Sequence, residues 1–233
     1  MLYLIRHAQA GPRGNYDELS PLGLQQAQML GTHFTQQNLH FDAIYTGGLQ
    51  RQQDTARLVN EYLNHTTEIC TDERWNEFKL GEVYQSIAAQ LMAEDEPFAC
   101  DFAEMKRMLN ENAYAMSGAV ARCDRAVMRA WLTDRYPAEG YEPWPDFQAR
   151  VQAGFAALLR HSAQETIAVF TSATPIAIAV GAALELTSEK ILGLAWVMYN
   201  SGLTTMKLRD GAFHLYTLNA APHLRGEEWQ TFR

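Results

Sequence analysis

The sequence is poor in cysteine, with three among 233 residues. Cys70, Cys100 and Cys123 are odd in number and lack the spacing of metal ligands, so they predict neither a disulfide framework nor a structural metal site. We therefore expect reduced thiols and a cytoplasmic protein. No apolar run is long enough to span a bilayer, so no membrane partner is predicted. The short apolar start lacks a leading positive region and runs into Arg6, which is not typical of a secretory signal.

The chain also lacks an excess of basic residues, because 19 lysines and arginines stand against 27 aspartates and glutamates. The net charge of −8 argues against nucleic acid or an anionic membrane as the main partner. A small anionic substrate stays compatible with this charge, since a few buried arginines can form a local positive pocket. The length and the apolar content are sufficient for the core of one large domain, or of one domain with an insertion.

Alternating strand and helix patterns organise both ends of the chain. Apolar, β-favouring runs end at residues 6, 46 and 171, and two final strands are predicted at 202–208 and 214–218. Helices are predicted from Ser20-Pro21, with Ser20 as the N-cap, and over residues 49–63, 145–160 and 176–186. This order predicts an α/β fold, a three-layer structure whose mostly parallel sheet carries helices on both faces.

The pattern changes between about residues 82 and 145, where apolar residues recur at helical spacing. Examples are Phe102, Met105, Met116 and Trp131. We predict a single domain over residues 1–233 with a helical insertion at 82–145, packed over the functional site. The methionines of the insertion are interpreted as core residues that fill irregular gaps. A lid or a substrate-selecting cap is a plausible role for a segment of this length.

Charged residues lie near the carboxyl ends of two predicted strands, and one of them falls in the first turn of the helix that follows. Arg6 and His7 stand at the carboxyl end of the first strand, where open α/β sheets bind ligands. A guanidinium beside an imidazole can hold a phosphoryl group while the imidazole attacks phosphorus. Arg51 falls in the first turn of a helix, and residues 171–174 form a strand-to-helix turn, both of which favour an anion. Alone, Arg51 and the loop residue Glu77 would be interpreted as solvated surface charges.

Six segments follow the order of motifs in the histidine phosphatase (phosphoglycerate mutase-like) superfamily, which the chain resembles over most of its length. They are Arg6-His7-Ala8-Gln9, residues 19–27, residues 49–56, Asn76-Glu77, Asn200-Ser201-Gly202 and residues 219–224. The resemblance implies that His7 becomes a phosphohistidine and that Arg6 and Arg51 bind the phosphate. It also implies that Glu77 is the acid that protonates the leaving oxygen and later deprotonates water.

One position departs from the family pattern. The family has a second histidine in a Ser/Thr-His-Gly-Gly turn, and Ser172 stands at that place here, as in a bacterial subgroup with a Ser-Ser/Thr-Gly-Gly turn. A neutral hydroxyl bond is roughly half as strong as a charge-assisted one, so Ser172 is expected to bind phosphate in a weakened enzyme. Gln9, Ala173 and His223 are further candidates for the site. His223 is alternatively a histidine that holds the C-terminal segment in place.

The predicted function is hydrolysis of a phosphomonoester through a phosphohistidine on His7, as the resemblance implies. The expected partner is a small phosphorylated substrate or phosphate. No cofactor and no metal are predicted, because two arginines supply the charge and no His/Asp/Glu cluster has ligand spacing. Two alternatives stay open. One is a phosphoglycerate-mutase-type phosphotransferase, although the insertion lacks a basic run suited to that substrate. The other is a degenerate phospho-ligand binder without turnover, supported mainly by Ser172.

Overall fold

A computed structural model describes residues 1–12 and 15–232 and divides the chain into two compact units. Unit 1 comprises Met1–Glu77 and Arg150–Arg233, and unit 2 comprises Phe78–Ala149. The single domain with an insertion at 82–145 stays a prediction, although the second unit begins and ends close to those bounds. Within the described residues, no helix is both long and apolar enough to cross a membrane.

Unit 1 contains a six-stranded mixed sheet. Its strands are β1 (Leu2–Arg6), β2 (Ala43–Thr46), β3 (Ile69–Thr71), β4 (Ile167–Thr171), β5 (Leu203–Arg209) and β6 (Ala212–Ala220), in the order β3-β2-β4-β1-β5-β6. The first four strands are parallel, and β5 and β6 add an antiparallel edge. The predicted α/β fold with a mostly parallel sheet is confirmed. The edge strand β3 was not predicted, because it is three residues long and largely exposed.

The described residues form eight α-helices. They are α1 (Pro21–Gln36), α2 (Gln50–Glu61), α3 (Leu80–Glu94), α4 (Glu96–Glu111), α5 (Ala119–Leu132), α6 (Trp144–Ala157), α7 (Ala173–Leu184) and α8 (Ser188–Ala195). Alternation along β1 explains how the sheet of unit 1 is covered. Ile5 packs with Leu30 of α1 and Val59 of α2 in one buried cluster. Leu2 and Leu4 point to the opposite face and are fully buried, and α7 contacts β1.

Two helix starts show how the local sequence acts. Ser20 caps α1 as predicted, since its Oγ accepts a hydrogen bond from the Gly23 N–H at 3.0 Å and Pro21 is the first helical residue. Helix α7 begins at Ala173 rather than at the predicted residue 176. Pro175 lies inside its first turn, where a missing N–H costs no intrahelical hydrogen bond, so the proline does not delay the helix.

Unit 2 is helical, and aromatic rings form part of its core. The Trp131 ring lies 4.4 Å from Phe78 and 5.2 Å from Trp144, measured between centroids. Met105 of α4 is buried, as expected of a methionine that fills a core. Met116 is 45% exposed and lies between α4 and α5, so the prediction that it belongs to a core was wrong. The helical spacing did not continue through the link between those two helices.

Candidate active site

The carboxyl ends of β1 and β4 lie side by side and start the site. Arg6 pairs with Thr171 across the parallel ladder, and the His7 N–H donates to the Thr171 carbonyl at 2.7 Å. His7 and Ser172 therefore leave neighbouring strands at the same edge of the sheet. Arg51, in the first turn of α2, reaches this edge and brings its Nε within 3.2 Å of His7 Nε2. The structure thus gathers these strand-end and helix-start residues at one place.

The imidazole of His7 is only 1% exposed, and its hydrogen bonds define its chemistry. Nδ1 lies 2.7 Å from the Ala8 carbonyl, which can only accept, so Nδ1 carries the proton and Nε2 keeps its lone pair. The Nε–H of Arg51 donates to that Nε2. Burial, followed by the charges of Arg51 and Arg6, holds the pKa of His7 well below 6.5. A neutral imidazole whose Nε2 carries no proton is the nucleophilic form.

The backbone around His7 is held by neighbouring side chains. The His7 carbonyl accepts a hydrogen bond from Asn200 Nδ2 and another from the Ser201 N–H, each at 3.2 Å. Thr55 Oγ1 accepts from the Ala8 N–H at 3.1 Å and donates to the Arg51 carbonyl at 2.7 Å. These bonds connect the loop after β1 to the start of α2. They hold the imidazole and the Arg51 guanidinium in one arrangement.

The positive charge of the site comes from two buried guanidinium groups. Arg6 donates through one terminal nitrogen to the Met198 carbonyl, and its buried Nε has no acceptor among the described residues. Burial lowers the pKa of Arg6 below its ordinary value, whereas nearby Tyr16 and Glu77 raise the pKa. Over residues 1–12 and 15–232, no group of three or more His, Cys, Asp or Glu side chains is placed to hold a metal ion.

Glu77 reaches the same edge from the loop after β3. It is half-buried, and its Oε2 accepts the Thr174 N–H, in the first turn of α7, at 3.2 Å. The turn before Glu77 is held by Arg150 of α6, a residue that sequence reasoning missed. Its guanidinium donates, at 3.0–3.1 Å, to the carbonyl oxygens of Glu73, Arg74 and Asn76. No sequence signal distinguishes this arginine from a solvated charge on a helix.

Ser172 lies at the start of α7 and is buried. Its Oγ accepts a hydrogen bond from Gln52 Nε2 at 2.8 Å and makes no capping bond. Because Oγ accepts from Gln52, its own hydrogen is left to donate elsewhere. Ala173 is buried beside it as the first helical residue of α7. Sequence reasoning also missed Gln52, although it directly follows Arg51 in the motif at residues 49–56.

Two of the further candidates, Gln9 and His223, contact residues that adjoin the site rather than the His7 imidazole. Gln9 Oε1 accepts from Ser20 Oγ at 2.7 Å, which connects Gln9 to the start of α1. His223 Nε2 lies 2.8 Å from Ser201 Oγ, and Ser201 in turn donates its N–H to the His7 carbonyl. Burial, followed by the charge of His33, lowers the pKa of His223 to about 4. His223 is therefore separated from the His7 imidazole by Ser201.

Two adjacent residues after β1, Tyr16 and Asp17, complete the surroundings of the guanidinium groups. The Tyr16 ring centroid lies 4.7 Å from the central carbon of the Arg51 guanidinium and 6.3 Å from the His7 ring. The phenol is hydrogen-bonded to Arg6. Asp17 Oδ1 lies 2.9 Å from a terminal nitrogen of Arg51. Sequence reasoning did not include this pair, since nothing in a loop sequence shows which way it turns.

The chain is similar to a known protein family. The profile of the histidine phosphatase superfamily (branch 1) matches residues 2–131 and 103–221. No curated protein matches the chain.

Solved structures share the fold along nearly the whole chain. The mycobacterial glucosyl-3-phosphoglycerate phosphatase, in complex with inorganic phosphate, is 21% identical and has a TM-score of 0.63, over 96% of this chain and 99% of its own. The α-ribazole phosphatase of Shigella flexneri is 19% identical with a TM-score of 0.61, over 94% of this chain and 96% of its own. Bacillus stearothermophilus YhfR is 20% identical with a TM-score of 0.64, over 95% and 98%.

Proposed function

The chain belongs to the histidine phosphatase superfamily, and from that premise we propose that it hydrolyses phosphate monoesters through a phosphohistidine on His7. The observation that carries the proposal is the state of the His7 ring. Its Nδ1–H is held by the Ala8 carbonyl, and its Nε2 lone pair faces the Arg51 guanidinium. Structural relatives named as phosphatases support hydrolysis of a small phosphorylated substrate.

In the first step, His7 Nε2 attacks phosphorus, so that an N–P bond forms as the ester P–O bond breaks. Arg6 and Arg51 neutralise the non-bridging oxygens, whose charge the transition state spreads. Glu77 gives a proton to the leaving oxygen, which departs as an alcohol. The Ala8 carbonyl keeps its hydrogen bond from Nδ1 and stabilises the positive charge that the phosphorylated ring acquires.

In the second step, water attacks the phosphohistidine while Glu77 accepts its proton, the N–P bond breaks and inorganic phosphate leaves. The N–H of Thr174 at the start of α7 favours the ionised Glu77 carboxylate that this step needs. The negative charge of a bound phosphate ester favours the protonated form that the first step needs. The carboxyl group can thus serve both steps.

Ser172 is assigned to the phosphate site as a donor. Its hydroxyl hydrogen is not used by the bond from Gln52, so it can donate to a phosphoryl oxygen. A neutral donor stabilises the transition state less than a charged imidazole would, so we propose a weakened activity. The same substitution is the observation that favours a second candidate, a binder of phosphorylated ligands without turnover. We further propose that two guanidinium groups supply enough charge without a metal, and that the protein, whose cysteines are free, acts in the cytoplasm.

The experiment is a labelling and turnover assay with a ³²P-labelled phosphoryl donor and an aryl phosphate. The wild type should acquire label that is stable in base and labile in acid. His7→Ala should lose the label and lower kcat by about 10³-fold or more, because the nucleophile is gone. His214→Ala, an exposed histidine on β6, is the matched control and should keep both. Label that persists in His7→Ala contradicts the mechanism, whereas phosphate binding without turnover would indicate the binder.

A further inference from the structure

Both guanidinium groups of the candidate phosphate site are covered by one short segment, Tyr16-Asp17. We propose that this segment is a built-in competitor for the phosphate group. In this proposal the Asp17 carboxylate occupies the place on Arg51 that a phosphate oxygen takes, and a ligand binds by displacing it. The inference rests on the proposed function, because it takes Arg51 as a phosphate-binding residue.

The ion pair between Asp17 and Arg51 has one fixed and one releasable partner. The Arg51 side chain is 6% exposed and also donates to His7, so it stays in the site when its partner changes. The Asp17 side chain is 56% exposed and can rotate into solvent. Carboxylate and phosphate oxygens offer a guanidinium the same kind of acceptor. Exchange of one for the other therefore requires only a rotation of Asp17.

Tyr16 has a different part in the same arrangement. Its ring lies against the Arg51 guanidinium, at a distance where a cation and an aromatic face attract each other. Its phenol is hydrogen-bonded to Arg6, whose Nε has no acceptor among residues 1–12 and 15–232. Arg6 thus keeps an unused donor for an arriving ligand. Tyr16 keeps Arg51 oriented after Asp17 has left.

This competition lowers the affinity of the site for every anionic ligand. Displacing Asp17 from Arg51 costs the same free energy whichever ligand does so, so the segment weakens binding by one common factor. Phosphate monoesters are largely dianionic at neutral pH and interact more strongly with two guanidinium groups than monoanionic sulfate esters do. A phosphate monoester, the substrate of the proposed hydrolysis, therefore has more binding energy with which to displace Asp17.

The test is calorimetric binding of inorganic phosphate and of an aryl sulfate, since neither measurement needs turnover. Asp17→Asn keeps the size of the side chain and removes the competing charge. We expect phosphate to bind about 2- to 5-fold more tightly to this variant, the range of a partly exposed ion pair. The aryl sulfate should gain by about the same factor, because the cost of displacing Asp17 does not depend on which ligand displaces it. Glu18→Gln is the matched control, because it also removes one negative charge from this loop. Glu18 is exposed and accepts a hydrogen bond from Asn15 rather than from Arg51.

Each outcome decides the proposal. Equal or weaker phosphate binding in Asp17→Asn would overturn it, because Asp17 would then orient Arg51 rather than compete for it. Equal tightening in Glu18→Gln would overturn it as well, since the effect would be general charge. Absence of phosphate binding in both the wild type and Asp17→Asn has the same consequence. Tighter phosphate binding by Asp17→Asn, with no turnover of an aryl phosphate by the wild type, would support this inference and contradict hydrolysis. Turnover of the aryl phosphate without tighter binding by Asp17→Asn would support hydrolysis and overturn this inference.

Discussion

Acid should destabilise the fold through His223, a buried imidazole with one hydrogen bond. Its Nε2 bonds Ser201 Oγ at 2.8 Å, and its Nδ1 has no partner in the described part of the chain. Burial, followed by the charge of His33, lowers the pKa of His223 to about 4. The ordinary pKa of histidine is about 6.5, so between these pH values the unfolded chain binds a proton that the folded chain does not.

The size of the effect follows from the two pKa values of His223. One proton of difference changes the free energy of unfolding by about 1.4 kcal/mol for each pH unit. The stabilisation is complete above the unfolded pKa and is lost as the pH falls to about 4, which amounts to roughly 3 kcal/mol. His7 acts in the same direction, since its pKa is also lowered. The contribution of His223 is therefore measured as the difference in pH dependence between the wild type and a variant that lacks His223, because one pH–stability curve contains both effects.

The assay is urea unfolding at about pH 7.5, 6 and 5, on the wild type and on His223→Gln. Glutamine can bond Ser201 but does not titrate. The loss of stability below about pH 6 should be shallower in the variant by up to about 1.4 kcal/mol for each pH unit. His214→Gln, on an exposed position of β6, should follow the wild type. Parallel curves for the wild type and His223→Gln would refute the reasoning.

Two further predictions concern residues that hold the site. Ser172→Ala leaves the buried amide of Gln52 with one backbone carbonyl at 3.3 Å, so the free energy of unfolding in urea should fall by about 1–3 kcal/mol. Adding Gln52→Leu to Ser172→Ala should recover part of that loss. If the effects of the two substitutions on the free energy of unfolding simply add, the hydrogen bond between Gln52 and Ser172 does not contribute as argued. Arg150→Met removes three hydrogen bonds from the turn before Glu77, so kcat for an aryl phosphate should fall about 10-fold with little change in KM. The exposed Arg57→Met is its control, and an unchanged kcat in Arg150→Met would contradict the role.

Local sequence patterns were sufficient for most elements of the fold. The runs that end at residues 6, 46 and 171 form strands that are buried along most of their length, and a strand buried on both faces of a sheet is mostly apolar. Ser20-Pro21 determines where α1 begins, since both residues act through their own backbone surroundings. Strand β3 was not predictable, because an exposed strand of three residues has no such pattern.

The sequence also determined which end of the strands carries the site. Parallel strands that alternate with helices present their carboxyl ends at one edge, so Arg6, His7 and the turn at Ser172 could be expected there. Their adjacency depends on the strand order, which places β1 beside β4 although residues 7–166 separate them in the chain. The sequence of neither strand shows that it pairs with the other. The contacts of Gln52 and Arg150 with this edge of the sheet depend on the strand order in the same way.

Only the tertiary structure decided the charge of His7 and the place of Asp17. The pKa of His7 is lowered because the folded chain removes water and brings two guanidinium groups near the ring. Asp17 is an ordinary loop aspartate in the sequence, and it becomes a competitor for phosphate only where the fold places Arg51 against it. The lowered pKa of His7 and the contact of Asp17 both depend on Arg51, which is far from these residues in the chain. Sequence determines the chemical groups that are available, and packing determines which of them interact.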